Sequence, residues 1–434
     1  MTPYYIKKVL FSSGERFPML IEKESGMPDY WSTVFSITQH RSKSDAVNTI
    51  EQVLRSLMLL KIFLKNYSLE GIDLKKRLQK GMILHLHEIE SLCDTCKLPL
   101  KEICADIAVP QKSKQSINTR SLEKFRSTTS KKQIITISSD ATGNRIRVIR
   151  NFLVWMANIH MAKLPEQDMR FMLLKDAKDF LESTLNSRIP GTSHNSSENA
   201  PMGLSEEAIA KLFEVIDRGS PYNPWTNNFT KIRNELLILW LYQFGIRRSE
   251  LLGLKISDLD FRSETFNIVR RPDDPEDPRL NQPTQKTHGR KIAMPKKIVR
   301  LTLDYITKHR TVLAKANKHE FLFVASKTGA AMSLDTVNKV FSKLKKTYPD
   351  IFANLTPHIL RHTWNDNFSA LMDERNESEA KEQKMRSYLM GWDETSGSAE
   401  TYTKRHVQRK ANESILEMDN NFPQEEDLPD WAKE

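Results

Sequence analysis

Four stretches of this 434-residue chain carry side chains whose types and spacing suit work on a phosphate group. The first is FGIRRSELLGLKISDLDF, residues 244–261. Gly245 can end one helix, and Arg247 then sits at the turn into the next. Glu250 lies three residues on, along the same helical face, where it can hold the guanidinium in place. An isolated pair of this kind is more often a surface ion pair. The second stretch is TQKTHGRKIAMP, residues 284–295. It reads as a β-hairpin tip with Lys286 at the start of a tight turn, able to project into a nucleic-acid groove; alone, it is a solvated lysine. The third is LTPHILRHTW, residues 355–364. Thr356 is a good N-cap and Pro357 suits the first helical position. His358 and Arg361 then share one face of the first turn, where free amides and the positive end of the helix dipole favour an anion. His362 is read onto a different face, as a structural histidine. The fourth is YLMGWDETSGSAETYTKRHV, residues 388–407. Tyr402 stands there in a polar setting, followed by Lys404 and Arg405. Trp392, after Gly391, can pack in a core or donate its indole N–H to a phosphate oxygen.

Each stretch is ambiguous by itself, and the order of all four carries the argument. G-I-R-R-S-E-L, then a hairpin K-T, then L-T-P-H-I-L-R-H-T, then G-W and a tyrosine ten residues later resembles the tyrosine recombinase (phage integrase) family. The resemblance covers about 205–410, roughly half of the chain. It implies a catalytic set of Arg247, Lys286, His358, Arg361, Trp392 and the nucleophile Tyr402, with Glu250 in support. Trp392 stands where many members have histidine, a variation that some active members share.

The same resemblance implies a fold that is mainly α with a small antiparallel β-sheet. A helical core-binding domain would precede a mixed α+β catalytic domain. It further implies double-stranded DNA at specific sites as substrate, a homotetramer acting on two duplexes, accessory DNA-binding proteins, and no cofactor or metal. In the family chemistry, two arginines neutralise the nonbridging oxygens where negative charge grows. The tyrosine attacks phosphorus, His358 takes part in proton transfer, and Lys286 protonates the departing 5′ oxygen. The 3′-phosphotyrosyl link keeps the bond energy, so rejoining needs neither ATP nor metal. Integration or excision of a mobile genetic element is the expected role. The alternatives are a type IB topoisomerase-like nicking and rejoining enzyme, or a catalytically silent DNA-binding protein of the same fold.

These residues need a scaffold, and the hydrophobic pattern outlines one. Residues 1–43 form a β-rich segment in which YYIKKVLF and FPMLIEK read as short strands. Residues 44–186 are expected to be the helical, DNA-binding domain, with helices over 44–67, 73–93, 140–162 and 165–185 and an insertion near 94–140. Ser44 or Asp45 would cap the first of these helices. Arg145, Arg147 and Arg150 would lie on the polar face of the third, and Arg120, Lys124, Arg126, Lys131 and Lys132 form a basic stretch within the insertion. Residues 187–204, rich in Ser, Asn, Pro and Gly, read as a linker. The catalytic domain would occupy 205–418, with helices at Ser205–Asp217 and Asn228–Phe244, a short helix, two strands bracketing the loop 271–289, and further helices. Residues 404–418 would form a helix that docks either on a neighbouring subunit or on its own domain. An acidic tail, 419–434, would follow.

Bulk composition agrees with a polyanionic partner. The formal net charge is +11 and the pI about 9.3, which favours nucleic acid or an anionic surface. No stretch reaches the roughly 18 uninterrupted apolar residues of a membrane span. The first residues lack a signal-peptide core, so a cytoplasmic, nucleoid-associated location is expected. Three cysteines are too few for a disulfide framework in a chain this long. Cys93, Cys96 and Cys104 with His85 and His87 could supply four zinc ligands, but their spacing matches no standard finger, and no metal is assigned.

Overall fold

The computed structural model describes residues 2–67, 71–106, 135–191, 203–285, 287–393, 397, 399–403, 406–407, 410–411 and 414, without the side chains of 104–106. Most of the expected insertion with its basic stretch, most of the linker, Lys286, much of 404–418 and the acidic tail lie outside the described residues. The chain falls into two compact units, the first of residues 1–11 and 16–194 and the second of residues 12–15 and 195–434.

The first unit opens with a hairpin. Strands β1 (Tyr4–Leu10) and β2 (Arg16–Glu22) pair antiparallel, from Tyr4 opposite Glu22 to Leu10 opposite Arg16. Helix α1 (Tyr30–Phe35) follows, capped by the Asp29 carboxylate, which accepts from the Ser32 amide. It continues through a π-helical turn, Ser36–His40. Sequence periodicity reads only strands before residue 44, because a helix of six residues is too short to show a repeat.

Helix α2 (Val47–Asn66) supplies the central apolar face, with Ile50, Leu54, Leu57 and Leu60 fully buried. It starts later than expected. Ser44 is left-handed at φ 59° and closes the 3-10 turn Arg41–Lys43, and Ala46 takes the cap position without a side-chain bond. The helix expected over 73–93 is two: α3 (Leu74–Gln79) and α4 (Leu86–Lys97). Gly81, at φ +75°, turns the chain between them. Arg77 and Glu88 pair across the break at 2.7 Å, and Glu88 also accepts from the His85 amide at 2.8 Å to cap α4. Helices α5 (Leu100–Asp106), α6 (Ser139–Met161, capped by Ser138) and α7 (Met169–Ser187, capped by Asp168) complete the unit. Arg145, expected on the polar face of α6, turns inward and donates to the carbonyls of Cys96 and Leu98 at 3.0 and 2.7 Å. Tyr4, Phe17 and Leu20 are buried in the same cluster as α2, α4, α6 and α7, so hairpin and helices share one core.

Cys93 and Cys96 belong to that core. Burial pushes both thiols up, Cys96 to about 12, which disfavours the thiolate that zinc binding requires. Among the described residues no group of three or more His, Cys, Asp or Glu is arranged to hold a metal ion. No helix among them is long and apolar enough to cross a membrane.

The second unit begins with α8 (Glu206–Ile216, capped by Ser205) and α9 (Asn228–Phe244, capped by Asn227). Helix α9 is buried on most of its circumference, through Leu236, Leu237, Ile238, Trp240 and Leu241. The Trp240 indole N–H donates to the Thr302 hydroxyl at 3.1 Å, so even its polar atom is satisfied inside. Helix α10 (Arg248–Gly253) leads into a three-stranded antiparallel sheet in the order β3 (Leu259–Asp260), β4 (Thr265–Ile268), β5 (Arg290–Ala293). The two expected strands are β4 and β5, and β3 adds a third. Buried ion pairs hold the long β4–β5 loop: Lys255 with Asp274 at 2.9 Å, and Arg279 with Asp277 at 2.7 Å. Arg279 also donates to the carbonyls of Leu252 and Met332. Helices α11 (Lys296–Asp304), α12 (Leu334–Thr347), α13 (Pro349–Phe352), α14 (Pro357–Glu374) and α15 (Glu379–Met390) follow, and residues 399–403 are helical.

Candidate active site

Two left-handed glycines bring the site's elements together. Gly245, at φ +58°, ends α9, and a Cβ there would lie 2.7 Å from the Trp364 ring. The chain can then turn at once, which places Arg247 as the N-cap of α10. Gly391, at φ +65°, ends α15 against the β4–β5 loop, and a Cβ there would lie 2.6 Å from Arg290 Nη1. The His288 amide donates to the Gly391 carbonyl at 3.1 Å.

Glu250 is the buried hub. Its Oε2 accepts from the Arg247 amide at 2.8 Å and from Arg290 Nη2 at 3.2 Å. Its Oε1 accepts from Arg290 Nη1 at 3.2 Å and from the Thr287 hydroxyl. Burial works against its charge, but the Arg290 guanidinium outweighs that and holds the carboxyl below the usual range. The sequence suggests that Glu250 holds the Arg247 guanidinium. In the structure Arg247 Nη1 is 3.7 Å from Oε1 and has no hydrogen-bond partner among the described residues. Glu250 thus pairs with the Arg247 guanidinium at ion-pair distance, fixes the Arg247 backbone and anchors Arg290, so its carboxylate is shared between the two arginines.

Arg290 is a residue that the motifs did not single out. Besides Glu250, it donates through Nε to the Leu389 carbonyl at 2.6 Å. It therefore ties β5 to α10 and to the end of α15. Thr287 and His288, the residues after Lys286, are pinned by these contacts, while Lys286 itself lies outside the described residues. The only sequence signal for Arg290 is its inward phase in the alternating strand, where a charge needs a partner.

Helix α14 starts as expected. The Thr356 hydroxyl accepts from the Ile359 amide at 3.1 Å, and Pro357 occupies the first turn. Arg361 is 2% exposed and donates to the Gly245 carbonyl at 2.7 Å. Burial first, and Arg247 next, push its pKa down to about 9, which leaves it cationic at neutral pH. His358 is exposed, and burial of part of its ring together with Arg361 and Arg247 lowers its pKa. His362 corrects the sequence reading: its ring lies 4.4 Å from that of His358 and 5.5 Å from that of Tyr402, so it shares the site's face. Residues four apart on a helix are neighbours.

Tyr402 is half-buried, and its ring stacks on Trp392 at 5.5 Å with 14° between planes. Trp392 also meets Arg361, whose guanidinium carbon lies 5.2 Å from the indole centroid. Past the tyrosine, His406 Nε2 meets Asp373 Oδ2 at 2.7 Å and fastens this segment to α14. Arg247, His358 and Arg361 line a cavity of about 550 Å³ that Arg248 and Lys345 also border. The structure thus brings Arg247, Glu250, His358, Arg361, Trp392 and Tyr402 together. Such a place is a cationic receptor for an anion with a phenol beside it.

Residues 204–409 match the Phage integrase family. The chain is 30% identical over 185 residues to the tyrosine recombinase XerA of Pyrococcus furiosus, covering 42% of this chain and 51% of that protein. It is 29% identical over 169 residues to the tyrosine recombinase XerC of Bacillus licheniformis, covering 38% and 47%. The family match spans a little under half of the chain, and the relatives matched are tyrosine recombinases. The chain spans about half the length of the curated relatives it matches. Among solved structures it is similar to the XerH site-specific recombinase bound to a palindromic difH substrate, with TM-score 0.49, 16% identity and coverage of 89% of this chain and 85% of that one. It is also similar to the Tn1549 transposon integrase in complex with transposon right end DNA, with TM-score 0.48, 15% identity and coverage of 89% and 99%.

Proposed function

We propose that this protein is a tyrosine site-specific recombinase that cleaves and rejoins duplex DNA through Tyr402. The observation that carries the reading is the convergence of Arg247, His358 and Arg361 on one cationic cavity with the Tyr402 phenol held beside it by Trp392 and His362.

The chemistry follows from what each group can do. A phosphodiester repels a nucleophile because its nonbridging oxygens are charged. Two guanidinium forks neutralise those oxygens, most strongly as charge builds at phosphorus. Arg361 is pre-set by the Gly245 carbonyl, and Arg247, ion-paired with Glu250, keeps its Nη1 without a hydrogen bond among the described residues. Tyr402 Oη attacks phosphorus, and the P–O5′ bond breaks. His358, kept neutral by its surroundings, takes part in moving the phenol proton, and Lys286 delivers a proton to the 5′ oxygen. A 3′-phosphotyrosyl link and a free 5′ hydroxyl result, and reversal by another strand's 5′ hydroxyl rejoins DNA without external energy. The partner is then double-stranded DNA at specific sites, with a homotetramer joining two duplexes and accessory DNA-binding proteins assisting. Residues 44–186 would supply further DNA contacts. Movement of a mobile genetic element is the proposed role.

The test is recovery of DNA bound covalently to the protein from cells, with the junction sequenced. The chain should form adducts, and Tyr402→Phe should bind the same DNA without forming any. Adduct persisting in that variant overturns the assignment. Plasmid relaxation without any requirement for paired sites would move the protein to a type IB topoisomerase-like activity.

A further inference from the structure

Arg386 is a fully buried charged side chain of the second unit that the chemistry above leaves unused. It lies on α15 and is 0% exposed. Its Nη1 donates to the Asn365 carbonyl and side-chain oxygen at 3.3 and 3.2 Å, and its Nη2 donates to the Ser369 hydroxyl at 2.6 Å and to the Glu382 carboxylate. Its Nε has no hydrogen-bond partner among the described residues. The guanidinium carbon lies 5.2 Å from the Phe368 ring and 5.8 Å from the Tyr402 ring.

A buried ion pair is a poor way to stabilise a fold, because apolar side chains of the same volume do as well or better. Arg386 is nevertheless buried where one face meets the phenol ring. Asn365 also links it to the Arg361 carbonyl at 2.8 Å, so the network touches both the nucleophile and an anion-binding arginine. We propose that Arg386 is a positioning residue for Tyr402: its guanidinium holds the phenol ring in its attack orientation and favours the negative charge that grows on Oη as the proton leaves. This rests on the recombinase reading. In the step it assists, the Oη–P bond forms as the P–O5′ bond breaks, and the phenol proton passes to the site's base.

Other charges also face Tyr402. Arg247 and Arg361 are within electrostatic range of it, Arg386 feels both Glu382 and Asp366, and His362 and His358 lie along α14. Glu250 and Arg290 stand behind Arg247, and His406 with Asp373 lies at the following turn. These groups stay constant when Arg386 alone is replaced, so the comparison isolates it.

The first experiment needs no DNA. Tyrosinate absorbance is titrated in the chain and in Tyr402→Phe, and their difference reports the Tyr402 hydroxyl. The same pair is measured with Arg386→Met, which keeps volume and removes charge, and with Arg386→Lys, which keeps charge. Arg386→Met should move the Tyr402 transition to higher pH, and Arg386→Lys should restore part of the shift. The second experiment measures adduct formation against pH on a duplex whose crossover site comes from the covalent junctions recovered in cells. Arg386→Met should slow adduct formation at least tenfold and displace the alkaline rise of the profile upward, with partial rescue by Arg386→Lys. A Tyr402 transition unchanged in a folded Arg386→Met protein overturns the proposal, as does a slowed rate with an unmoved pH profile and no lysine rescue. If the unmodified chain forms no adduct on any DNA, the recombinase reading fails, while the titration still decides whether Arg386 acts on Tyr402.

Discussion

At the scale of the residue, Arg361 shows how a buried charge can be made useful. Its cost is met by the Gly245 carbonyl and the Trp392 ring, and its fork is thereby fixed before any substrate arrives. Lysine offers a point charge without the planar fork. Arg361→Lys should therefore lower the rate of covalent adduct formation by about 10²–10³-fold, the usual cost of one donor to a developing oxyanion, while DNA affinity in gel shifts changes little. His358 bears on pH. Its pKa is depressed, so the neutral ring persists below the ordinary imidazole value of about 6.5. Activity that uses neutral His358 should hold down to pH values below about 6.5, and His358→Gln should remove that acid limb from the pH–rate profile. Stability follows the same sign: the depressed group favours the folded state fully above the unfolded value of about 6.5, and the advantage is lost as pH falls through the folded value.

At the scale of the element, the Glu250–Arg290 pair joins α10, β5 and the end of α15. Both side chains are buried, so removing one leaves the other charge without compensation. Glu250→Ala should destabilise the second unit by about 3–5 kcal/mol, read as a lower urea midpoint at unchanged slope. The same variant frees Thr287 and the Arg247 amide, so adduct formation should fall even at temperatures where the protein remains folded. An adduct rate that tracks only the folded fraction would show that the pair serves stability alone. The glycines at 245 and 391 belong to this scale too, since each lets a helix stop where a side chain would strike a ring or a guanidinium.

At the scale of the whole molecule, the excess of +11 positive charges sets the expectation for binding. Contacts to DNA phosphates release counterions, so affinity should fall linearly on a log–log plot against salt. With six to ten phosphate contacts, roughly, the loss between about 50 and 200 mM salt is about 10³–10⁵-fold. Fluorescence anisotropy on a labelled duplex measures this slope. A flat dependence would mean that the positive charge is spent elsewhere than on the DNA backbone.

The sequence by itself determined much of the site. Gly245, Arg247, Thr356, Pro357, His358 and Arg361 sit within local motifs, and cap and helix geometry place them from neighbours a few residues away. Helix α14 begins where Thr356 and Pro357 require it to. The breaks that sequence missed, at Ser44 and Gly81, depend on single left-handed residues inside long apolar patterns, which periodicity averages over. Only the tertiary structure decided the company of distant residues. That Glu250 takes Arg290 as a partner besides Arg247, that His362 reaches Tyr402, and that Arg386 lies beneath the same ring are contacts between residues 16 to 40 positions apart. Their physical basis is burial: a charge or ring removed from water must take whatever partner the packing brings to it, and no local spacing encodes that partner.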